Sequence, residues 1–465
     1  MEKIIAPAPI VQSVGYDDAH HQPVLAGDPV NDGGSHNQTI MSSNGDGHPR
    51  PQSQSLSEGR QRSVQTDEEK AELVPPIADG PDGGFQGWMQ VVAAFLLVLD
   101  GFGFITAFGA FQTYYRQLLP DSVSDQAISY IGSMQIFLLF LLGTISGRLI
   151  DAGYFRITLI TGFVFQIGGV FGASFSSQYW QFLLSQGIAT GIGNGMHFTA
   201  LVWLVSQYFT KKRGWRSASV PAMLKENSGH QWTLRVMGFL ILADSIIIIL
   251  IARPKEATRK GGPLLELSAF KELPYLLFTI GMFFALLGVY FAYYYVPNFA
   301  RDKLGLDSDG ALTVLIVMSA VGIPGRLIPP FFADKSIKPL RTLVISLLFC
   351  SLNLFAWIAV TSTAGLYAWV VAYAFTANAV QTLFTASMGE VTSDMSKLGV
   401  RIGMVFTVVS FACLTGPPVG GRLVEVGGDN YAYAQIFAGA SMLLGGLLVA
   451  LAKMKQVGQK EFWRI

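Results

Sequence analysis

With 465 residues, 51% of them hydrophobic and 14% charged, the chain is too apolar for an ordinary soluble domain and too long for a single membrane anchor. Its formal net charge is +1, with Lys and Arg gathered in short loops, which leaves no basic face suited to nucleic acid. Cys350 and Cys413 both fall in apolar stretches, so no disulfide is expected.

Residues 1–80 are rich in Gly, Ser, Asp, Gln, His and Pro, and their composition predicts a disordered tail. They lack a basic start followed by a short apolar core, so they do not read as a cleaved signal peptide. Apolar windows then recur at 88–110, 127–147, 155–175, 180–206, 235–252, 274–297, 311–332, 341–360, 366–389, 402–421 and 432–452. A hydrocarbon core of roughly 30 Å needs about 20 apolar residues in helix, whereas barrel strands would alternate over about 10 residues. The predicted fold class is an all-α polytopic membrane protein.

Short cytosolic loops are enriched in Lys and Arg. Arg148 and Arg156 therefore place the loop after the second span inside, and the uncharged 174–179 turn lies outside. Lys211, Lys212, Arg213 and Arg216 bring the chain back inside. The next basic loop, with Arg253, Lys255, Arg259, Lys260 and Lys271, should also be inside, yet a single apolar span separates the two. One crossing is missing, at GWRSASVPAMLKENSGHQW (214–232). Arg216, Lys225, Glu226 and His230 keep that stretch out of the bilayer, because a central charge costs roughly 2.5 to 3.5 kcal/mol even on the lenient insertion scale.

A twelve-span plan with a defective fifth helix divides into six plus six around the basic loop. A repeat supports that division: Gly147-Arg148-Leu149-Ile150-Asp151 follows the second span, and Gly325-Arg326-Leu327-Ile328 with Ala333-Asp334-Lys335 closes the eighth. The predicted organisation is a cytosolic tail over 1–80 and a first helix bundle over 81–252, defective near 214–232. A cytosolic loop over 253–272, a six-helix bundle over 273–453 and a cytosolic tail over 454–465 follow.

Within the spans, Asp100 stands twelve residues past Trp88, roughly 18 Å deep. It reads either as a proton carrier or substrate contact, or as a neutral carboxyl bonded between helices. Asp244 is similarly deep and reads as structural. GIATGIGNG (187–195) lies inside a span with no strand before it, so it reads as close helix packing rather than a phosphate loop. Beside it, Asn194 and His197 line a cavity or bond across helices. Tyr293, Tyr294 and Tyr295 suit an interfacial belt or a stacking platform for an aromatic ligand. Arg326 lies eight residues before Asp334, roughly 12 Å inside the cytosolic rim. An arginine there needs a cavity or a partner, and its planar fork suits a carboxylate. No Ser/His/Asp spacing or metal-ligand cluster points to an enzyme.

Pro81-Asp82-Gly83-Gly84-Phe85-Gln86-Gly87-Trp88, the 147–153 turn and the central basic loop carry a family likeness. From about residue 80 onward the chain resembles a fungal member of the monocarboxylate porter family within the major facilitator superfamily. The resemblance implies two six-helix halves, alternating access, and a proton-linked or facilitative carrier of a small organic anion, a monocarboxylate or an acidic secondary metabolite. It implies a multi-pass protein of the plasma membrane with no resident cofactor, no nucleic-acid partner and a monomeric working unit. The position of Arg326 resembles a substrate-anion arginine, so Arg326, Asp100, Asn194, His197 and Tyr294 form the expected substrate site. Gly147, Arg148, Asp151 and Asp334 form the expected gating turns. The chain departs from the pattern in its fifth helix and in lacking the helix-one lysine of the animal carriers. The rival reading is a non-transporting membrane sensor or an inactive, truncated carrier.

Overall fold

The computed structural model describes residues 89–90, 92–93, 96–97, 99–198, 229–252, 265–333, 335, 338–392, 397–428 and 430–457, all within one compact unit, Asp79–Ile465. The expectations for 1–80, for most of the polar stretch at 214–232, for most of the central loop and for Asp334 lie outside the described residues. Every described regular element is helical.

The first helix contains a π-turn, Leu99–Gly103, then Phe104–Thr106, then α1, Phe108–Leu118. α2 spans Asp125–Asp151, α3 spans Phe155–Phe175, and α4 spans Tyr179–Phe182. α4 runs on through a second π-turn, Leu183–Ala189, into helix at 190–198. α5 is Gly229–Ile251, so the end of the polar stretch already forms a helical turn. α6 (Leu273–Leu304), α7 (Ser308–Phe332), α8 (Pro339–Ala356), α9 (Thr363–Val391), α10 (Leu398–Val426) and α11 (Ala432–Val457) complete the chain. Among the described residues, α2, α3, α5, α6, α7, α8, α10 and α11 are long and apolar enough to cross a membrane. α9 has the length but carries Thr376, Asn378, Gln381 and Thr382 along its middle, which dilutes its apolar character.

The helix ends follow local chemistry. Ser124 and Asp307 cap α2 and α7 by accepting from the backbone N–H of Ala127 (3.2 Å) and Gly310 (2.8 Å). Gly305, at φ 68°, ends α6, and Leu306 N–H returns to the Ala300 carbonyl at 3.1 Å. α1 and α6 both outrun their apolar windows. Their extra turns are polar in sequence yet bury Gln112, Tyr115 and Asn298 against neighbouring helices, which hydropathy alone does not register.

α6 lies at the centre, packed on α1, α7, α10 and α11, while α8 and α9 close the second bundle. This explains why α6 is apolar on all sides. Tyr293, Tyr294 and Tyr295 are each at most 2% exposed, so they are not an interfacial belt: consecutive residues of a central helix fan out toward three different neighbours. α2 packs along α10, joining the two bundles from Gln126 N–H to Glu425 Oε1 (3.3 Å) at one end to Thr144 Oγ1 on the Gly403 carbonyl (2.8 Å) near the other. In the 187–195 run, a Cβ on Gly191 would meet Gln135 and Leu138 of α2, and one on Gly193 would meet Gly162 and Gln166 of α3. Those glycines let three helices meet at backbone distance.

Candidate functional site

Three helices of the second bundle build one polar group. α7 supplies Arg326, which keeps accessible surface although it interacts electrostatically with the buried Tyr290 and Tyr293 of α6. α9 supplies Asn378, whose Nδ2 donates to Tyr293 Oη at 2.8 Å and to the Ala374 carbonyl at 2.8 Å. Gly325 makes the approach possible, since a Cβ there would stand 2.5 Å from the Phe375 carbonyl oxygen of α9. Pro324, Pro329 and Pro330 flank Arg326 and remove three backbone donors from α7. The result is an arginine within electrostatic reach of two phenols, one of them bonded to an amide.

Tyr294 points elsewhere. Its ring lies 4.7 Å from Phe108, and its hydroxyl, which has no hydrogen-bond partner, fits where a side chain on Gly132 of α2 would stand. It belongs to the seam between the bundles, not to the Arg326 group.

The first bundle holds the other predicted residues. Asp100 sits in the π-turn, 6% exposed, and its backbone carbonyl accepts from Gln166 Nε2 of α3 at 3.0 Å. A π-turn displaces backbone carbonyls from their helical partners, and Gln166 occupies one of them. The Asp100 carboxyl lies within interaction range of that of Asp244 on α5. Asn194, 2% exposed and with neither amide atom partnered, lies against Gly101. His197 turns to α3: its Nε2 is 3.3 Å from the Leu159 carbonyl oxygen and its ring 4.1 Å from that of Phe163. Of the two readings open for His197, the contact across helices is the one its packing matches.

At the expected gating turn, Gly147 and Arg148 lie in the last turns of α2. The Arg148 carbonyl accepts from Ala152 N–H at 2.9 Å, and Gly153, at φ 92°, turns the chain toward α3. Asp151 closes α2, and its side chain lies outside what the structure describes.

Sequence reasoning missed two groups. Gln166 carried a signal, as an intramembrane amide without an evident partner. The ion cluster at one end of the bundle carried little: Arg116 Nη1 is 3.1 Å from Asp125 Oδ2 and 3.1 Å from Asp302 Oδ2, and Tyr431 Oη donates to Asp302 Oδ2 at 2.9 Å. Those residues lie at span ends, where charge is ordinary.

No family model matches the chain. It is 38% identical to an MFS-type transporter of Gibberella zeae over 410 positions, covering 85% of this chain and 92% of the relative. It is 31% identical to the aspyridones efflux protein of Emericella nidulans, over 80% of this chain and 79% of that protein. It is 30% identical to the fujikurins efflux protein of Gibberella fujikuroi, over 80% and 84% respectively.

Proposed function

Because the chain belongs to the MFS-type transporters, we propose that it moves a small organic anion across the membrane by alternating access. The substrate is a monocarboxylate or an acidic secondary metabolite, carried outward across the plasma membrane. One observation carries the anion: Arg326 stands in an apolar helix within electrostatic reach of Tyr293 and Tyr290, and Tyr293 is in turn bonded to Asn378. An arginine placed among apolar helices is costly unless it meets water or a partner, and the planar fork matches a carboxylate better than a neutral ligand. Export is supported by two relatives named as efflux proteins, of aspyridones and of fujikurins.

Membership of the fungal monocarboxylate porter branch is part of the same reading. It rests on the 81–88 entry motif and on the Gly/Arg/Asp turns.

Proteoliposome counterflow with radiolabelled phenylpyruvate tests the proposal. Expected is exchange that unlabelled phenylpyruvate competes away and its methyl ester does not. Equal competition by the ester would remove the anion from the reading, and absence of exchange would remove phenylpyruvate-type acids as substrates.

A further inference from the structure

The first helix and α5 run side by side in opposite directions. Gln90 Nε2 donates to the Ile251 carbonyl at 3.0 Å, and Ala93 and Leu97 share a buried cluster with Ile248 and Ala252. One helical turn further along the same seam, three residues after Leu97 and four before Ile248, stand Asp100 and Asp244. The geometry thus brings two carboxyls together by register, close enough to interact electrostatically.

Two carboxyls so placed can bond to each other only with a proton on one of them, because an ionised carboxylate only accepts. Two adjacent carboxylates away from water would also repel. A second observation points into the same place. Asn194 of the fourth helix, 2% exposed, leaves both Nδ2 and Oδ1 without partners beside Gly101, and Asp100 Oδ2 is also unpartnered. Around the pair, among the described residues, α3 contributes the uncharged Gln166, already engaged on the Asp100 carbonyl. The fourth helix contributes Asn194 and the α3-facing His197. The charged residue of α5 besides Asp244 is Arg235, more than two turns away and stacked over Phe175 and Trp232 at 4.9 and 5.2 Å. No cation among these neutralises the pair.

We infer that Asp100 and Asp244 form a proton-binding site holding one proton between them, and that its occupancy sets how the first helix is held against α5. With the proton bound, the hydrogen bond ties the π-turn to α5. When the proton leaves to solvent, two carboxylates face each other, and the π-turn, whose Asp100 carbonyl is bonded to Gln166, yields. Asn194 is then placed to donate to the freed Asp100 carboxylate. Resting on the transport reading, this couples proton binding to the rearrangement of the cavity-side first helix, without the helix-one lysine that the chain lacks.

The site is tested on the purified full chain in lipid by infrared difference spectroscopy between acidic and alkaline buffer. Expected is a protonated-carboxyl stretch that Asp100→Asn removes at neutral pH and Asp244→Asn shifts to higher frequency, since the buried acid then loses its acceptor. A band unchanged in both variants, or no such band in the unmodified chain, would overturn the site. The coupling is read separately: a pH gradient should speed phenylpyruvate accumulation about ten-fold, and Asp244→Asn should abolish that response while retaining gradient-free counterflow. Gradient-driven accumulation surviving in Asp244→Asn would overturn the coupling. Lack of counterflow in the unmodified chain would overturn the transport reading instead, with the infrared result still deciding the proton site.

Discussion

Arg116 reaches from the end of α1 to Asp302 at the end of α6, 3.1 Å away, and so ties the first helix bundle to the second. The same nitrogen also holds Asp125 at the start of α2. The charge pattern assigns this end of the bundle to the outside, so under the proposed alternating access the cluster is placed to close the outer mouth. Beneath it, a Cβ on Gly109 would stand 2.4 Å from the Tyr293 carbonyl oxygen, and Thr113 Oγ1 donates to Asn298 Oδ1 at 2.9 Å.

Breaking this clamp should favour the outward-open form. Arg116 is partly exposed, so its loss is worth about 1 kcal/mol, a shift of about five-fold in the open-to-closed ratio. Arg116→Gln should therefore raise the rate at which an impermeant thiol reagent outside labels a Thr113→Cys reporter by about that factor. An unchanged rate would mean that the clamp does not govern the mouth.

At Arg326 the fork, more than the charge, is expected to matter. Arg326→Lys keeps the charge but cannot offer two parallel donors to one carboxylate. Phenylpyruvate counterflow should fall at least about ten-fold, equivalent to about 1.4 kcal/mol, while the thermal midpoint in detergent stays close to that of the unmodified chain. Undiminished counterflow in the lysine variant would assign Arg326 a structural role.

Glu266, just ahead of α6, accepts from Arg401 Nε (3.1 Å) and from Lys397 Nζ (3.0 Å). These bonds hold its carboxyl below its ordinary value of 4.5. Its stabilising contribution is therefore complete above that value and is lost as the pH falls through the lowered one. The thermal midpoint should drop on acidification from about pH 5 to about pH 3, and the drop should be smaller in Glu266→Gln. Identical acid profiles for the two proteins would show that this ion pair does not contribute.

Much of the helical layout was legible because hydrophobic length is the property a bilayer selects. The span read at 155–175 coincides with α3, and 432–452 lies inside α11. What sequence could not show was which polar residues would meet. Asp100 and Asp244 are 144 positions apart and become neighbours only through the antiparallel register of their helices. The three tyrosines of α6 read as a belt because their position near a span end is a good sign of the interface only for a helix that faces lipid. α6 does not face lipid, and nothing in its own sequence says that it is central.

The charge alternation makes a topological prediction independent of the side-chain geometry. Both termini and the loop at 253–271 should face the cytosol. A Lys260→Cys variant in intact cells should resist an impermeant thiol reagent and react after permeabilisation. Labelling before permeabilisation would reverse the assignment.

The last prediction concerns the polar stretch at 214–232. Arg253 to Lys271 and Lys211 to Arg216 can share one side of the membrane only if two crossings separate them, yet among the described residues α5 is the one apolar helix between them. Loss of most of a fifth helix accounts for the missing crossing. Such a loss would expose the polar groups of neighbouring helices to lipid, each costing several kcal/mol, against a total stability of about 5 to 15 kcal/mol. Inserting a Gly/Ala/Ser-rich apolar helix between Gly214 and Pro221 should therefore raise both surface expression and phenylpyruvate counterflow, and sequencing the transcript across codons 205 to 240 should reveal a longer reading frame. If the chain as it stands exchanges phenylpyruvate as fast as the lengthened version, the stretch is not a deletion scar, and 214–232 must act as a functional segment in its own right.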